Sequence, residues 1–236
     1  MTPFAVLSIA FFAAPSILLS MGDSSIGTSG CDERPEAGKN GWQTLFDGRT
    51  TEGWRGYHRD TIPDGWFADD GVFRREGKGG DLMTVEQFAD FELHLEWRLE
   101  PGGNSGVILR VSEEGDKSWH SGPEMQILDD EAHQPDLKPK NASGALYDLV
   151  PVPEGAGSVI DEWNTVRIMV DGSRYRFWLN GVQTVDLDLE SPEGQRLIAA
   201  SKFARYPGFG REARGHIVLQ DHGAKVEFRH ILIREL

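Results

Sequence analysis

The sequence predicts an all-β fold, a jelly-roll sandwich of two antiparallel sheets with a concave face for a ligand. Apolar and polar residues alternate in short segments, as they do in strands, where successive side chains point to opposite faces. Turn residues separate these segments, and no long segment has a helical apolar period. Glycine accounts for 28 of 236 residues, which is typical of a fold with many turns and bent strands.

The amino-terminal segment differs from the rest of the chain. Residues 4–19 are almost wholly apolar and are interrupted by Pro15. An apolar run of this length is short for a membrane-spanning helix, which needs about 20 residues, and is typical of a signal-peptide core. We expect residues 1–31 to be a signal peptide or lipoprotein signal. The protein is then exported to the periplasm or the cell surface.

Cys31 is the single cysteine of the chain, and it follows the small residues Thr28, Ser29 and Gly30. Small residues before a lone cysteine are typical of bacterial lipoprotein signals, in which the cysteine carries the lipid. Lipidation of Cys31, ordinary cleavage and an uncleaved anchor are three open interpretations. Membrane contact is expected only through such an anchor. Residues 32–40 are expected to form a polar linker to one domain at residues 41–236.

The charge of the chain narrows the class of its partners. Its 24 Lys and Arg against 38 Asp and Glu give a net charge of -14. A negative field of this kind repels nucleic acids and anionic membrane surfaces. Small neutral carbohydrates are therefore the partners that fit this chain best.

The strands can be followed along the chain. Residues 91–98 alternate without interruption, so we expect one face of this strand to be buried and the other solvated. Residues 166–170 and 175–179 flank a glycine-containing turn and predict a hairpin. The segments 216–220 and 226–233 predict two further strands, and residues 193–203 are the helical candidate.

The period of two also places the polar residues of two strands. Met125 and Ile127 share the face that should pack in the core, so Glu124 and Gln126 share the other face. Their side chains lie about 7 Å apart along the strand. A solvated strand face is the alternative interpretation of this pair.

Asn104 and Arg110 lie on the corresponding face of the strand that begins near residue 104. If the two strands are neighbours, the guanidinium of Arg110 meets the carboxylate of Glu124. An arginine in such a position is a fixed donor for an oxyanion. The alternative is a surface ion pair worth about 0–1 kcal/mol.

Three further residues are candidates for the same face. Gln220 and His222 follow a strand whose apolar residues point the other way, and a histidine is the natural proton shuttle near neutral pH. His222 in a simple turn is the alternative. Tyr147 has two open interpretations, core packing and a phenol that contacts a ligand.

Several ordered segments of the chain form a recognisable set: Gly41 to Gly48, Asn104 to Gly106, Glu124 to Asp129, Gly144 to Asp148, Asn180 with Gly181, and Leu219 to Gly223. Together they resemble the 3-keto-disaccharide hydrolase domain family, and the resemblance covers about residues 41–236. It implies a concanavalin A-like lectin/glucanase jelly roll, and exported bacterial enzymes that cleave sugars oxidised at C3.

One departure from related glucanases bears on the chemistry. Laminarinase-type glucanases of the implied fold carry Glu-x-Asp-x-x-Glu on one strand, whereas this chain has Glu124, Gln126 and Asp129 at those positions. Gln126 replaces the middle acid, so hydrolysis by a pair of carboxylates is not expected.

The resemblance leads to a mechanistic hypothesis for a 3-keto sugar, in which the ketone acidifies the hydrogen at C2. Glu124 removes this proton, Arg110 stabilises the enolate with Asn104 or Gln126, and His222 protonates the leaving oxygen. Water then adds at C1. Tyr147 and Gln220 are expected to bind the substrate. A sugar 3-dehydrogenase that makes the keto sugar is an expected functional partner.

Two alternatives stay open. No cofactor is expected, but a divalent cation held by Glu124, Asp129, His133 or His222 is an option, although no Cys or His spacing marks a metal site. The competing function is a non-catalytic, lectin-like carbohydrate-binding module, because this fold serves both classes. In that case tryptophans such as Trp119 and Trp178 stack on sugar rings.

Overall fold

The computed structural model describes Met1 and residues 34–77 and 79–236. The predicted signal segment, Cys31 and the start of the predicted linker lie outside the described residues. Within these ranges, no helix combines the length and the apolar character that crossing a membrane requires.

The described residues form thirteen strands and one α-helix. In chain order they are β1 (Gln43–Thr44), β2 (Trp54–Gly56), β3 (Trp66–Asp69), β4 (Val72–Arg75), β5 (Leu82–Thr84), β6 (Phe91–Leu99), β7 (Asn104–Val111), β8 (Glu124–Leu128), β9 (Asn164–Asp171), β10 (Arg174–Leu179), β11 (Val182–Asp188), α1 (Pro192–Ala199), β12 (His216–Leu219) and β13 (Val226–Glu235).

The strands form two antiparallel sheets. The larger sheet has eight strands in the order β11-β10-β9-β6-β13-β4-β3, and β1 pairs with β13. The smaller sheet has five strands in the order β2-β5-β12-β7-β8. The predicted all-β sandwich of two antiparallel sheets is therefore confirmed.

Side chains from both sheets meet in one core. Leu95 and Trp97 of β6 pack in the same cluster as Leu109 of β7, and all three are fully buried. Met125 and Ile127 of β8 also belong to this core, as their alternation predicts. Glu124 and Gln126 consequently face away from the core.

The opposite face of the smaller sheet carries a second, smaller apolar cluster. Tyr57 and Trp119 cover this cluster and are themselves partly buried. Its members are Met83, Ile108, Val111 and Val218. This face, which also carries Glu124, forms the floor of the candidate site.

A β-bulge in β7 changes which face its last residues occupy. Val218 pairs with Ile108 and His216 pairs with Val111, so Leu109 and Arg110 together lie opposite one residue of β12. Arg110 has a φ of 48°, in the left-handed region. Because a bulge inserts one extra residue, Ile108 and Val111 lie on the same face although they are three positions apart.

The polar face of β6 is not solvated, contrary to the expectation from its alternation. Glu92 and Glu96 are buried, at 3% and 9% exposure, beneath arginines of neighbouring strands. Arg167 of β9 pairs with Glu92 at 2.5 Å, and Arg229 of β13 pairs with Glu96 at 2.6 Å. Ion pairs between long side chains cover this face in place of water.

The helical candidate at residues 193–203 is divided in two. Helix α1 begins after Ser191, whose hydroxyl accepts a hydrogen bond from the Gly194 N–H at 3.0 Å and so caps the helix. A short 3-10 turn, Lys202–Arg205, follows, and its cap is the hydroxyl of Ser201. This turn brings Lys202 toward the floor of the candidate site.

Candidate active site

A cavity of about 490 Å³ lies against the floor of the smaller sheet. Its size falls in the range of small-molecule sites. Two of the predicted residues, Gln220 and His222, line it. The other lining residues are Tyr57, His58, Arg59, Pro63, Gly80, Asp81, Asp116, Lys117, Trp119 and Asp221.

Glu124 is the buried carboxylate of this region. It begins β8 opposite Ile108, and its side chain lies over Gly106 of β7 so closely that a Cβ at that glycine would be 2.2 Å from Oε1. Burial raises the pKa of Glu124 to about 8. The positive charge of Lys202 opposes this shift, the negative charge of Asp81 adds to it, and the neighbouring Gln220 amide opposes it.

Lys202 is the cation with the largest electrostatic effect on Glu124. The pattern of the sequence did not indicate this lysine. Its Nζ lies 4.2 Å from the ring centre of Tyr147, 4.4 Å from that of Trp119 and 5.1 Å from that of Phe203. Such faces attract a cation. Burial lowers the pKa of Lys202, while the charges of Glu124 and Asp148 oppose that shift.

Tyr147 lies beside Glu124 because residues 144–147 run along the free edge of β8. The Tyr147 N–H donates to the carbonyl oxygen of Glu124 at 2.9 Å. Burial raises the pKa of the Tyr147 phenol, and the charges of Glu124 and Asp148 raise it further. Tyr147 also packs against the main core, so the structure agrees with both interpretations of this tyrosine.

Asp81 is a second carboxylate at the cavity that the sequence did not indicate. Its Oδ1 accepts a hydrogen bond from the Asp221 N–H at 2.9 Å, and its Oδ2 accepts one from the Ser118 hydroxyl at 2.5 Å. Asp221 is itself fixed by Arg75, whose Nε lies 2.6 Å from its Oδ1. Burial raises the pKa of Asp81, as it does for Glu124.

Three predicted binding residues and the predicted proton donor His222 lie on the expected face. Gln126 is buried and its Nε2 donates to Oδ1 of Asn104 at 3.4 Å. The Gln220 N–H donates to the carbonyl of Gly106 at 2.9 Å, which places its side chain beside Glu124. His222 is exposed at the cavity wall.

The structure corrects the predicted position of Arg110. Its strand does neighbour that of Glu124, but its guanidinium donates to the carbonyl of Ala89 at 2.7 Å, to the carbonyl of Gly172 at 2.6 Å and to Asp90 at 2.7 Å. These partners belong to loops of the larger sheet. The bulge in β7 reverses the side-chain alternation, so Arg110 joins the two sheets and does not meet Glu124.

Asp129, at the position of the last acid of the glucanase motif, accepts hydrogen bonds from loop backbone groups. Its Oδ2 accepts from the Gly102 N–H at 2.7 Å and its Oδ1 from the Ala132 N–H at 3.2 Å. The bond from Gly102 is the main reason why the pKa of Asp129 is lowered. Within the described ranges, no group of three or more His, Cys, Asp or Glu side chains is arranged to hold a metal ion.

Asp81 and Lys202 were missed for a common reason. Both lie at the edges of turns, where no period of two or 3.6 records the direction of a side chain. The polar segments at residues 144–148 and 219–223 were the only sequence signals for the region around Asp81 and Lys202.

Comparisons with known proteins give a consistent result. A family model described as "3-keto-alpha-glucoside-1,2-lyase-like domain" matches residues 41–234. The 3-keto-disaccharide hydrolase of Bacteroides thetaiotaomicron is 34% identical over 231 residues, which cover 84% of this chain and 79% of the relative.

Two solved structures from Parabacteroides distasonis, both assigned to the glycosyl hydrolases, have the same fold. One has a TM-score of 0.77 at 25% identity and covers 83% of this chain and 94% of the other. The second has a TM-score of 0.70 at 28% identity and covers 84% of this chain and 100% of the other.

Proposed function

Because the chain belongs to the 3-keto-alpha-glucoside-1,2-lyase-like domain family, we propose that it hydrolyses the glycosidic bond of 3-keto-disaccharides or 3-keto-glycosides. One observation carries this proposal. A buried carboxylate, Glu124, has a raised pKa and feels the charges of the Lys202 amine and of Asp81, and Asp81 and its neighbour Gln220 line a cavity of about 490 Å³. A base with a raised pKa next to a cation is the arrangement that abstraction of a proton next to a ketone requires.

The reaction begins at C2 of the sugar. Glu124 accepts the C2 proton, and the electron pair moves toward the oxygen at C3. When the ketone re-forms, a double bond forms between C1 and C2, and the bond from C1 to the leaving oxygen breaks. Water then adds at C1 and a proton returns to C2, so the net reaction is hydrolysis.

The cavity supplies the group that protonates the leaving oxygen. His222 lines the cavity and is exposed, so it can exchange protons with both the substrate and the solvent. Gln220 and Tyr147 are assigned to substrate binding, and Asn104 with Gln126 extends the same polar face. Lys202 takes the place that we had predicted for Arg110, as the positive charge near C3.

This route is consistent with both names found by comparison. The family is described as 1,2-lyase-like, and the Bacteroides relative is named a hydrolase. Elimination across C1 and C2 is a lyase step, and the addition of water completes a hydrolysis. Export of the protein, a lipid anchor at Cys31 and supply of the substrate by a sugar 3-dehydrogenase stay predictions.

The test compares oxidised with unoxidised sugars. Wild-type protein is incubated with 3-keto-trehalose and 3-keto-lactose beside trehalose and lactose, and the products are measured by mass spectrometry. Cleavage of the keto sugars alone, with deuterium at C2 when the solvent is heavy water, is the expected result. Equal cleavage of the parent sugars would contradict the proposal.

A matched variant separates an enzyme from a lectin-like module. Glu124→Gln keeps the size of the side chain but cannot accept the C2 proton, so we expect loss of turnover with retained binding of the keto sugar. Binding without cleavage by the wild-type protein would favour the lectin-like alternative.

A further inference from the structure

The amine of Lys202 has an unusual environment. In the described part of the chain its Nζ makes no ion pair or hydrogen bond, and it lies against the rings of Tyr147, Trp119 and Phe203. The nearby carboxylate of Asp148 is already occupied. Its Oδ1 binds Nζ of Lys140 at 2.6 Å, and its Oδ2 accepts from the Lys202 backbone N–H at 2.8 Å.

This arrangement holds the Lys202 backbone in place but leaves the amine free. Aromatic faces can hold a cation, yet they accept no proton. Glu124, on the floor of the candidate site, is the charged group with the largest electrostatic effect on the amine.

Burial acts on the two groups in opposite directions. It lowers the pKa of Lys202 and raises the pKa of Glu124, so burial favours the neutral form of both groups. A neutral lysine amine in an apolar environment is the nucleophile that forms Schiff bases with carbonyl substrates.

We propose that Nζ of Lys202 attacks the C3 carbonyl carbon of the substrate and forms a covalent iminium through which elimination proceeds. This inference rests on the proposed function, because it requires a ketone at C3. The amine lies against three aromatic rings, and one of these, Trp119, lines the cavity, which supports the inference. Arg110, the group we had expected to stabilise an enolate, is bound to loops of the larger sheet.

The steps balance without any further reactant. The nitrogen lone pair forms a bond to C3, one proton moves from nitrogen to oxygen, and protonated Glu124 gives the proton with which this oxygen leaves as water. Glu124, now a carboxylate, removes the C2 proton and an enamine forms. The iminium re-forms as the bond from C1 to the leaving oxygen breaks, and His222 protonates that oxygen.

Two waters complete the cycle. One adds at C1 and gives a proton to His222, while Glu124 returns its proton to C2. The other hydrolyses the iminium, which releases the 3-keto sugar and the free amine and gives a proton back to Glu124. A cationic iminium attracts the electrons from C2 more strongly than a neutral ketone does. The aromatic rings around Nζ are well placed to stabilise its positive charge.

Reductive trapping tests the covalent intermediate. Wild-type protein is mixed with 3-keto-trehalose and sodium cyanoborohydride, and the modified peptide is identified by mass spectrometry. We expect one sugar adduct, on Lys202. Lys140→Arg keeps its ion pair with Asp148 and should give the same adduct, whereas Lys202→Arg should give none.

Kinetics supply the second measurement. Lys202→Arg keeps the positive charge but cannot form an iminium, so we expect turnover to fall on the order of 10³-fold. Turnover by wild type without an adduct on Lys202, or Lys202→Arg activity within about tenfold of wild type, would overturn the inference and leave the proposed function intact. Wild-type protein that leaves keto sugars uncleaved contradicts the proposed function itself.

Discussion

The pair of Glu124 and Lys202 is the residue-scale feature on which the proposed chemistry depends. Burial shifts their pKa values toward each other, to about 8 for Glu124 and downward for Lys202. Two such groups titrate as a unit. The unit must lose one proton before it can act as base and nucleophile.

The pH dependence of the reaction follows from this pair. We expect kcat/KM to rise about tenfold per pH unit below pH 8 and to level off above it, because the active form is the deprotonated one. Initial rates on a 3-keto-disaccharide between pH 5 and 9 measure this. A profile that is already flat above pH 5 would mean that Glu124 ionises near its ordinary value of 4.5.

Gly106 determines where the Glu124 carboxylate can lie. Because a Cβ at this position would be 2.2 Å from Oε1, we expect Gly106→Ala to displace the carboxylate and to lower kcat about 10²-fold. Gly157→Ala is the matched control, since a Cβ there meets nothing within 4 Å. Equal activity of the two variants would show that the carboxylate does not need its present position.

At the residue scale, the sequence predicted those site residues that lie on regular strands. Alternation placed Glu124 and Gln126 on the face opposite to Met125 and Ile127, and the structure agrees. It gave no information about Lys202, because its direction is set by a 3-10 turn and a bond to Asp148. Propensity and pattern do not encode such contacts between distant segments.

At the scale of elements, the bulge in β7 decides the role of Arg110. One extra residue turns its side chain toward the loops of the larger sheet, where it donates to two carbonyl groups and to Asp90. An uninterrupted strand would have placed it beside Glu124. Single-sequence alternation does not reveal a bulge whose left-handed residue is an arginine, because glycine is the usual signal.

Removal of the Arg110 side chain is expected to affect stability. Arg110→Ala removes a buried side chain and the three hydrogen bonds that it donates, so the free energy of unfolding should fall by about 1–3 kcal/mol. Denaturant unfolding measures the change. Arg174→Ala is the control, because its ion pair with Asp186 is exposed to solvent and should contribute little to stability. A stable but inactive Arg110→Ala protein would restore its catalytic role.

At the scale of the whole molecule, the fold class followed from simple rules. Alternation and frequent turns predicted a sandwich of two antiparallel sheets, and the structure confirms it. The expectation of a solvated face on β6 was wrong, because arginines from β9 and β13 cover Glu92 and Glu96. The alternation rule predicts that charged residues of a strand face solvent, and it is corrected only when the partners on neighbouring strands are known.

The buried Glu124 also affects the stability of the whole molecule. Its pKa is about 8 in the folded chain against an ordinary 4.5, so the folded state binds more protons than the unfolded state between these values. This group therefore makes the free energy of unfolding fall as pH rises from about 4.5 to about 8.

Glu124→Gln should remove this pH dependence. At pH 8 we expect the variant to be more stable than wild type by about 2–4 kcal/mol, below the full linkage of about 5 kcal/mol because Lys202 loses its counter-charge. Urea unfolding at pH 5 and pH 8 measures the difference. Glu131→Gln, at an exposed loop position, should change neither value. A Gln variant less stable than wild type at pH 8 would contradict the raised pKa.

The contact between Lys202 and Trp119 has a practical consequence. The indole of Trp119 lines the cavity and lies 4.4 Å from the amine, so it touches both the space for the ligand and the reactive nitrogen. Loss of the charge on that nitrogen changes the electric field across the indole. The protein thus contains its own fluorophore at the proposed reacting centre, and we expect its emission to follow single turnovers in a stopped-flow instrument without any added label.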